Sequence, residues 1–373
     1  MNSIRLVHNT LKSAAQVNPL DPSSRAFHES LPGYDVSPLR PAPSAARALG
    51  VRSVHVKDES NRLGTPSFKI LGASWATFRV LLAHLGLDRS EVQTLDALKD
   101  ALACQHETFS LAAATDGNHG RAVAIIGRML GLSVKIFVPS DMVQARIEAI
   151  KSEGAVVSVI DGGYDDAIAA SAAVADDNTL VVSDTSWEGY TEPPSWVIDG
   201  YSTMINEVLE ALSQDEAPTP TVVAAQIGVG AFAAAVARGF ANVDCAVVGV
   251  EPTRAECVTA SIEAGEILTI PGPQTSIMAG LNCGTPSVIA WNDVSGGYDT
   301  FVTVTDDDAR HAMRLLAVDG IVSGESGAAG LAGLLAHSAA LELNENDTVL
   351  LFSTEGATDK AAYDEIIAEK VEA

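Results

Sequence analysis

Short apolar runs that alternate with alanine-rich stretches constrain the fold of this chain more than any other feature. The predicted strands cover residues 53–56, 108–113, 134–138, 156–160, 180–183, 222–227, 246–250, 301–304 and 349–352. Between them lie stretches with helical spacing, such as residues 120–130, 144–152, 164–174 and 307–317. Short strands that are apolar throughout and separated by helices are typical of parallel sheets covered on both faces. The sequence therefore predicts an α/β fold of two open, mostly parallel sheets with helices on both faces.

Chain length and composition predict two domains. A chain of 373 residues is longer than one ordinary core accommodates. The strand–helix run at residues 80–190 looks self-sufficient, so we predict a small domain inserted into a large domain of residues 1–79 and 191–373. The active site is expected in the cleft between the two. Proline-bearing breaks are predicted at residues 188–195, 213–221 and 267–275.

Charge and cysteine content exclude several classes of protein. The net charge is −25, from 23 basic and 48 acidic residues, which disfavours binding to nucleic acid or to an anionic membrane surface. The four cysteines are far apart and form no CxxC, so we expect neither a zinc site nor a disulfide framework, and no other metal is predicted. No apolar run reaches the ~18 residues of a membrane span, and residues 1–16 lack a cleavable signal. We therefore expect a soluble, cytoplasmic protein.

Lys69 is the residue that most suggests chemistry. It follows Phe68 and precedes small and apolar residues, with Gly72 close behind it. An amine in such surroundings is kept partly desolvated and is available as a nucleophile. Lys135, one of the eight lysines, also has apolar neighbours, but its run reads as a plain strand. A lysine on an ordinary helix surface remains the alternative, because short motifs are weak evidence alone.

Two glycine turns join a predicted strand to a predicted helix. Residues 114–120 (ATDGNHG) place polar side chains at the carboxyl edge of a parallel sheet, where ligands of such sheets bind, although Asp116 or Asn118 would also serve as a helix cap. In residues 226–232 (QIGVGAF), Gly228 and Gly230 let the backbone approach an anion at a helix N-terminus. We interpret this turn as fitting a single phosphate, and the dinucleotide interpretation stays open because the strict GxGxxG pattern is not met.

Two further segments follow predicted strands. Residues 184–190 (DTSWEGY) combine a carboxylate with two aromatic rings, which is typical of a ligand-contacting loop, and an ordinary surface loop is the alternative. Residues 353–356 (STEG) bring the hydroxyl of Ser353 to the carboxyl end of a strand, where it could hydrogen-bond a ring nitrogen of a ligand. An ordinary polar turn is the alternative.

Together these segments resemble the fold-type II pyridoxal-phosphate enzymes, the tryptophan synthase β / threonine dehydratase superfamily. The resemblance runs from about residue 55 to residue 360. Within that superfamily the chain is most similar to the diaminopropionate ammonia-lyase family. The similar strings lie at residues 57–60, 115–120, 184–190, 277–281, 323–327 and 353–356. The chain departs from that family in Pro193-Pro194 and in a somewhat short N-terminal part, and neither departure touches the motifs.

The resemblance implies pyridoxal 5'-phosphate as the cofactor and assigns residues to hold it. Lys69 would form the Schiff base, with Phe68 beside it. The residues with other cofactor contacts would be Gly228, Val229, Gly230 and Ala231 at the phosphate, Asn118 at the phenolic oxygen, Ser353 at the pyridine nitrogen, and Glu325. A neutral hydroxyl at the pyridine nitrogen suits β-elimination more than transamination or racemisation.

The resemblance also implies the substrate, a small amino acid with a second amine. Dehydratases of the superfamily have Ser or Thr where this chain has Asp116, and their leaving group is a neutral hydroxyl. The carboxylate of Asp116 would attract the ammonium of 2,3-diaminopropionate and move protons, with Asp184 as a second acidic group. Ser67, Thr115 and Tyr190 are the other predicted substrate contacts. The expected reaction is α,β-elimination to pyruvate and two molecules of ammonia, on both stereoisomers if Lys69 and Asp116 take the α-proton from opposite faces.

Two other functions compete with this hypothesis. A serine, threonine or hydroxyaspartate dehydratase is the nearest alternative, and a non-catalytic nucleotide or metabolite sensor is a distant one. His119 is at least as well explained by packing at a helix start as by catalysis. Since the resembled family tends to dimerise, we expect a homodimer.

Overall fold

Two separate β-sheets form the framework of the protein. We describe it from a computed structural model covering residues 4–115 and 117–369, so that Asp116 lies outside the described residues. Within that part of the chain the strands are β1 (Leu6–His8), β2 (Leu39–Pro41), β3 (Ser53–Asp58), β4 (Ser110–Ala114), β5 (Ser133–Pro139), β6 (Val156–Ile160), β7 (Thr179–Val181), β8 (Val222–Gln226), β9 (Ala246–Pro252), β10 (Thr300–Val304) and β11 (Thr348–Ser353). One sheet has the strand order β1-β10-β9-β8-β11-β3-β2 and the other has the order β6-β5-β4-β7.

Helices connect most of these strands. In the described chain the α-helices are α1 (Ser24–Glu29), α2 (Pro43–Leu49), α3 (Lys69–Leu85), α4 (Leu95–Ala103), α5 (Asn118–Leu130), α6 (Gln144–Ser152), α7 (Tyr164–Ala173), α8 (Glu192–Ser213), α9 (Ala231–Phe240), α10 (Cys257–Ala264), α11 (Val288–Gly297), α12 (Asp306–Val318), α13 (Ala329–His337) and α14 (Lys360–Ala368). Short 3₁₀ turns lie at Ala14–Gln16 and Ala279–Leu281.

Both sheets are mostly parallel, which confirms the predicted fold class. Strands β8, β9, β10, β11 and β3 pair in parallel, and so do all four strands of the smaller sheet. The central strands β8 and β11 are buried along their whole length because apolar helices cover both faces. Parallel strands bring their carboxyl ends to one edge of a sheet, and that edge carries the site described below.

Only the two outermost strands of the larger sheet run antiparallel, among the strands described. β1 pairs with β10 and β2 with β3, each over three residues. The sequence analysis missed both strands. A three-residue strand with partly exposed side chains has no apolar run of its own, so its pairing depends on a partner elsewhere in the chain.

The predicted domain division stays a prediction. The smaller sheet is built from strands between residues 110 and 181, inside the predicted insertion at 80–190. The predicted boundary near residue 80 falls within α3, which is continuous from Lys69 to Leu85. The predicted break at residues 188–195 is wrong from residue 192 onward, because α8 begins at Glu192. Pro193 and Pro194 lie in its first turn, where the N–H that proline lacks would have no partner within the helix.

Helices α3 and α8 approach each other closely through two glycines. A Cβ atom on Gly72 would lie 2.6 Å from Cε1 of Tyr201, and one on Gly200 would lie 2.5 Å from the carbonyl oxygen of Leu71. Neither glycine has a positive φ, so each is required for the space it leaves. This contact fixes the helix that begins with Lys69.

Candidate active site

Lys69 is the first residue of α3. Its Nζ donates a hydrogen bond of 2.8 Å to Oδ2 of Asp184, and its side chain is 21% exposed. The preceding ring, Phe68, is buried and packs on Tyr201 and Phe232 at centroid distances of 4.5 and 5.2 Å. The packed ring fixes the backbone beside Lys69, and the partly exposed amine is held by the carboxylate of Asp184.

Asp184 follows β7 and is buried beside that amine. Burial alone would raise the pKa of its carboxyl, but the charges of His119 and Lys69 and the hydrogen bond from Lys69 outweigh burial and hold the pKa below its usual range. The hydroxyl of Tyr164 donates a longer bond of 3.4 Å to its Oδ1. The carboxylate therefore stays ionised in the neutral range and holds a cation in front of it.

His119, in the first turn of α5, is fully buried behind Asp184. Its Nε2 lies 2.8 Å from the carbonyl oxygen of Val182, which only accepts, so this nitrogen carries the hydrogen. Its Nδ1 lies 3.8 Å from Oδ2 of Asp184 and has no hydrogen-bond partner in the described part of the chain. The histidine thus ties α5 to the strand end that carries Asp184, which is the packing role considered from the sequence.

The second glycine turn lies between β8 and α9. Gly230 has a φ of +107° and is the N-cap of α9, a conformation that favours glycine. A Cβ on Gly228 would lie 3.0 Å from the carbonyl oxygen of Gly280. The carbonyl of Val229 accepts a bond of 2.8 Å from the N–H of Ser287, so the turn is fixed from outside. Ala231 opens α9, and the N–H groups of its first turn are available to an anion.

The other turn carries Asn118 to a buried carboxylate. Asn118 is the first residue of α5, and its Nδ2 donates a bond of 2.6 Å to Oε2 of Glu355. The hydroxyl of Thr115 accepts from the N–H groups of Gly117 and Gly120, both at 2.9 Å. Thr115 therefore shapes the turn, and its role as a substrate contact stays a prediction. Asp116, between these residues, lies outside the described chain.

Ser353 ends β11 and is fully buried. Its hydroxyl donates to Oγ of Ser323 at 2.8 Å. The next residues reach the lysine segment: the N–H of Phe68 donates to the carbonyl of Thr354 at 3.1 Å, and Ser67 forms a bridge with Glu355. The end of β11 is thereby placed next to Lys69.

Glu355 is a site residue that the sequence analysis did not single out. Its Oε1 accepts from the N–H of Ser326 at 3.1 Å while its Oε2 accepts from Asn118. Burial and the nearby charge of Glu355 raise the pKa of Glu325. The signal that could have found Glu355 was its position two residues past a strand, inside the string at residues 353–356.

The loop at residues 184–190 connects the two sides of the site. The rings of Trp187 and Tyr190 stack at 4.0 Å, and the hydroxyl of Tyr190 donates to the carbonyl of Val181 at 2.8 Å and accepts from the N–H of Ser183. Tyr190 therefore braces the loop, and its predicted contact with substrate stays a prediction. The hydroxyl of Ser186 lies 2.9 Å from that of Ser287, the residue bonded to the glycine turn.

A balanced charge cluster supports the segment that leads to Lys69. Lys57, at the end of β3, donates to Oε2 of Glu207 on α8 at 2.6 Å. Arg62 donates to Glu59 and to Glu207, both at 2.7 Å. Two cations and two carboxylates are thus buried together, and each offsets the desolvation cost of its partners. Glu207 carried no sequence signal, because its partners lie about 150 residues away.

Comparisons with known proteins agree with this geometry. The family model described as pyridoxal-phosphate dependent enzyme matches residues 31–355. The diaminopropionate ammonia-lyase of Escherichia coli strain K12 is 37% identical over 365 residues, which cover 93% of this chain and 90% of that protein. The chain therefore belongs to the diaminopropionate ammonia-lyase family of pyridoxal-phosphate-dependent enzymes.

Solved structures of a diaminopropionate ammonia-lyase also resemble this chain over almost its whole length. The Escherichia coli diaminopropionate ammonia-lyase in complex with D-serine superimposes with a TM-score of 0.89 at 34% identity, covering 98% of this chain and 97% of that chain. The structure of that enzyme with an aminoacrylate-PLP azomethine reaction intermediate superimposes with a TM-score of 0.87 at 33% identity, with 98% and 97% coverage.

Proposed function

We propose that this chain removes ammonia from 2,3-diaminopropionate by α,β-elimination, giving pyruvate and a second molecule of ammonia. The observation that carries the proposal is the 2.8 Å pair between Lys69 and Asp184, with the Ser353 strand end beside it. Its family membership and its similarity to an enzyme solved with aminoacrylate support the same reaction.

The site fits pyridoxal phosphate. The glycine turn at residues 228–231 supplies N–H groups at the N-terminus of α9, and Gly228 lets the turn pack closely against the carbonyl oxygen of Gly280, so we assign the phosphate to this turn. We assign the pyridine nitrogen to the buried hydroxyl of Ser353 and the phenolic oxygen to the amide of Asn118. Phe68 and Glu325 line the same site in this proposal. The bound cofactor supplies the electron sink that stabilises a carbanion at the substrate's α-carbon.

The protein supplies charge and orientation. Lys69 would hold the cofactor through its Nζ, and as a free neutral amine it would take the α-proton of the substrate at the same atom. Asp184, which stays ionised, then holds a cationic amine in place of the Lys69 ammonium. In this proposal Asp116 takes the α-proton of the other stereoisomer from the opposite face and attracts the β-ammonium, and Ser67 and Thr115 contact the substrate. Because diaminopropionate carries one more cationic amine than serine, a site with two carboxylates favours it.

Substrate comparison tests the proposal. Pyruvate release would be measured from D- and L-2,3-diaminopropionate and from L-serine and L-threonine, with the same enzyme preparation. We expect kcat/KM for diaminopropionate to exceed that for the hydroxy amino acids, and we expect turnover of both enantiomers. Faster turnover of serine or threonine would identify a dehydratase instead.

The Schiff base has its own test. Purified protein should be yellow, and borohydride should fix the cofactor to Lys69, where peptide mapping locates it. The Lys69→Ala variant should lose both the adduct and the activity. A colourless protein without adduct would favour a non-catalytic sensor.

We further propose a cytoplasmic homodimer. The four cysteines form no disulfide with one another in the structure, which suits a reducing compartment, and most soluble oligomers have twofold symmetry. No helix in the described chain is long and apolar enough to cross a membrane. Light scattering coupled to size exclusion should give twice the 38.7 kDa chain mass, and a monomer mass would contradict the dimer.

A further inference from the structure

The loop at residues 184–190, which carries Asp184, has two side-chain hydrogen bonds that lead away from the smaller sheet. Across residues 4–115 and 117–369, its side chains bond only two residues outside the stretch from β4 to the loop itself. One is Lys69, whose Nζ donates to Asp184 at 2.8 Å. The other is Ser287, whose hydroxyl lies 2.9 Å from the hydroxyl of Ser186. These two bonds set where Asp184 lies relative to the larger sheet.

The bond to Lys69 changes during the proposed reaction. Nζ of Lys69 is the atom assigned to hold the cofactor and to take the α-proton. Bonded to the cofactor, this nitrogen keeps at most one of the three hydrogens of the ammonium, and as a free amine it carries no charge. In neither form does it hold Asp184 as the ammonium does. The contact between Ser186 and Ser287 involves no residue assigned to cofactor or substrate, so it can hold the loop throughout.

The hydroxyl of Ser287 is directed to the loop and not to its own helix. Ser287 is the N-cap of α11 and has the extended backbone of such a residue, with φ −69° and ψ 127°. A serine at this position ordinarily accepts an N–H from the first helical turn, which stabilises the helix. Within the described chain its hydroxyl accepts none of them and meets Ser186 instead. Ser287 is buried, so water competes little for this contact.

Ser287 also holds the glycine turn at residues 228–231. Its backbone N–H donates to the carbonyl oxygen of Val229 at 2.8 Å. A Cβ on Gly230 would lie 3.2 Å from the Cβ of Ala290, so the turn packs closely against the first turn of α11. Ser287 therefore fixes the turn through its backbone and the loop through its side chain. Asp184, two residues before Ser186, is thereby placed relative to the turn assigned to the cofactor phosphate.

We propose that the hydrogen bond between Ser186 and Ser287 positions the carboxylate of Asp184 for a cationic amine of the substrate and so favours a diamino acid over serine. Both serines are positioning residues, because they act through Asp184 and contact no reacting atom. Displacing a site group by about 1 Å can reduce the rate up to about a hundredfold. The inference rests on the proposed ammonia-lyase activity, because only a substrate with a second cationic amine profits from this placement.

A double-mutant cycle tests the contact. Ser186→Ala, Ser287→Ala and the double variant would be assayed for pyruvate release from diaminopropionate. We expect kcat/KM to fall about two- to tenfold in each single variant, the value of one hydrogen bond between neutral groups, and to fall no further in the double variant. Single losses that multiply in the double variant would overturn a shared bond, and so would unchanged kcat/KM in both single variants.

Substrate preference separates positioning from a general loss of structure. L-Serine brings no second amine, so its kcat/KM should fall less in the single variants than that of diaminopropionate. Ser287→Ala keeps the backbone N–H that holds Val229, so the absorbance of bound cofactor and its retention on dialysis should stay unchanged. Equal losses with both substrates, or release of the cofactor, would show that the hydroxyls support the fold and would overturn the proposal.

Two further variants complete the experiment. Ser186→Thr keeps the hydroxyl at a half-buried position and should retain kcat/KM within about twofold. The matched control is Ser195→Ala, which removes an exposed hydroxyl that bonds the carbonyl oxygen of Glu192 at 2.7 Å, and it should change neither substrate's kcat/KM. If the unsubstituted enzyme released no pyruvate from diaminopropionate, the proposed function would fail together with this inference. An active enzyme with multiplying losses would overturn this inference alone.

Discussion

Asp184 is both buried and ionised, and each property limits what it can do. A carboxyl whose pKa is held below its usual range is a weak proton acceptor. It does bind a cation well, since the charge persists in a water-poor site. We therefore interpret Asp184 as the group that positions an amine, while Lys69 carries out proton transfer.

Replacing Asp184 by Asn tests that interpretation. The amide keeps the shape but loses the charge that faces Lys69 at 2.8 Å. We expect kcat/KM for diaminopropionate to fall about 10- to 100-fold, because hydrogen bonds to charged groups contribute roughly 1.5–3 kcal/mol. The measurement is pyruvate release at several substrate concentrations.

The control for that variant is Asp299→Asn. Asp299 also pairs with a lysine: its Oδ1 lies 2.6 Å from Nζ of Lys12. Asp299 directly precedes β10, a strand near the edge of the larger sheet. Its replacement should leave kcat/KM unchanged. An equal loss in both variants would mean that lost stability, and not lost charge at the site, reduces activity.

Glu355 accepts from two donors at once, so the isosteric Glu355→Gln change cannot preserve both contacts. One amide oxygen can serve Asn118 or the N–H of Ser326, and the amide NH₂ then faces the other donor. We expect cofactor affinity to fall by about tenfold, since an unpaired buried donor costs about 1–3 kcal/mol. Cofactor release during dialysis, followed by visible absorbance, measures this directly. Undiminished cofactor retention would show that Asn118 does not need this carboxylate.

At the scale of secondary structure, α10 begins on a buried carboxylate. Glu251, near the end of β9, accepts from the N–H groups of Val258 and Thr259 at 2.9 and 2.7 Å. Burial raises the pKa of Glu251 to about 7 from its ordinary value of 4.5. Between those two pH values the folded chain holds a proton that the unfolded chain has released. Glu251 therefore contributes stability that is complete below about pH 4.5 and lost as pH rises through 7.

Thermal unfolding from pH 5 to pH 8 tests this linkage. Replacing Glu251 by Gln removes the titrating group, so the decline in stability over that range should shrink by about 1–3 kcal/mol relative to the unsubstituted protein. The comparison concerns the slope with pH, since the amide also changes stability at every pH. Glu266→Gln, an exposed position just after α10, should keep the original slope. A slope unaffected by Glu251→Gln would contradict the assignment.

For the whole molecule, the net charge of −25 works against the compact state through self-repulsion. Raising the salt concentration from about 20 mM to about 0.5 M shortens the screening length from ~20 Å to a few ångströms. We therefore expect the melting temperature to rise by several degrees. Tetramethylammonium chloride should produce the same rise as sodium chloride, because screening depends on ionic strength alone. A rise seen only with sodium would indicate a bound ion instead.

The sequence predicted most of the framework for a simple physical reason. Each of the nine predicted strands overlaps an observed strand, since a strand covered on both faces is apolar along its whole length. The edge strands β1 and β2 were missed because half-exposed strands leave no such run. The predicted break at Pro193 and Pro194 was wrong because proline, which interrupts the middle of a helix, is also common in its first turn.

The candidate site was predictable where its residues stand in short strings and not where they act across the chain. Lys69, Asn118 and Ser353 belong to such strings and converge in the structure. Glu207 could not have been found, because its carboxylate matters only through Lys57 and Arg62, which folding brings to α8. Thr115 and Tyr190 sit in the right strings, but the structure shows their hydroxyls bonded to the backbone.

The close approach of α3 and α8 has a consequence for mutational tolerance. Any side chain at position 72 or 200 meets an atom of the opposite helix at 2.5–2.6 Å, and the helices would have to separate to admit it. In a library of all single substitutions selected for activity, both positions should therefore retain glycine almost exclusively. They would therefore score like catalytic residues, although neither bears a functional group. Tolerance scores alone would wrongly assign Gly72 and Gly200 to the active site.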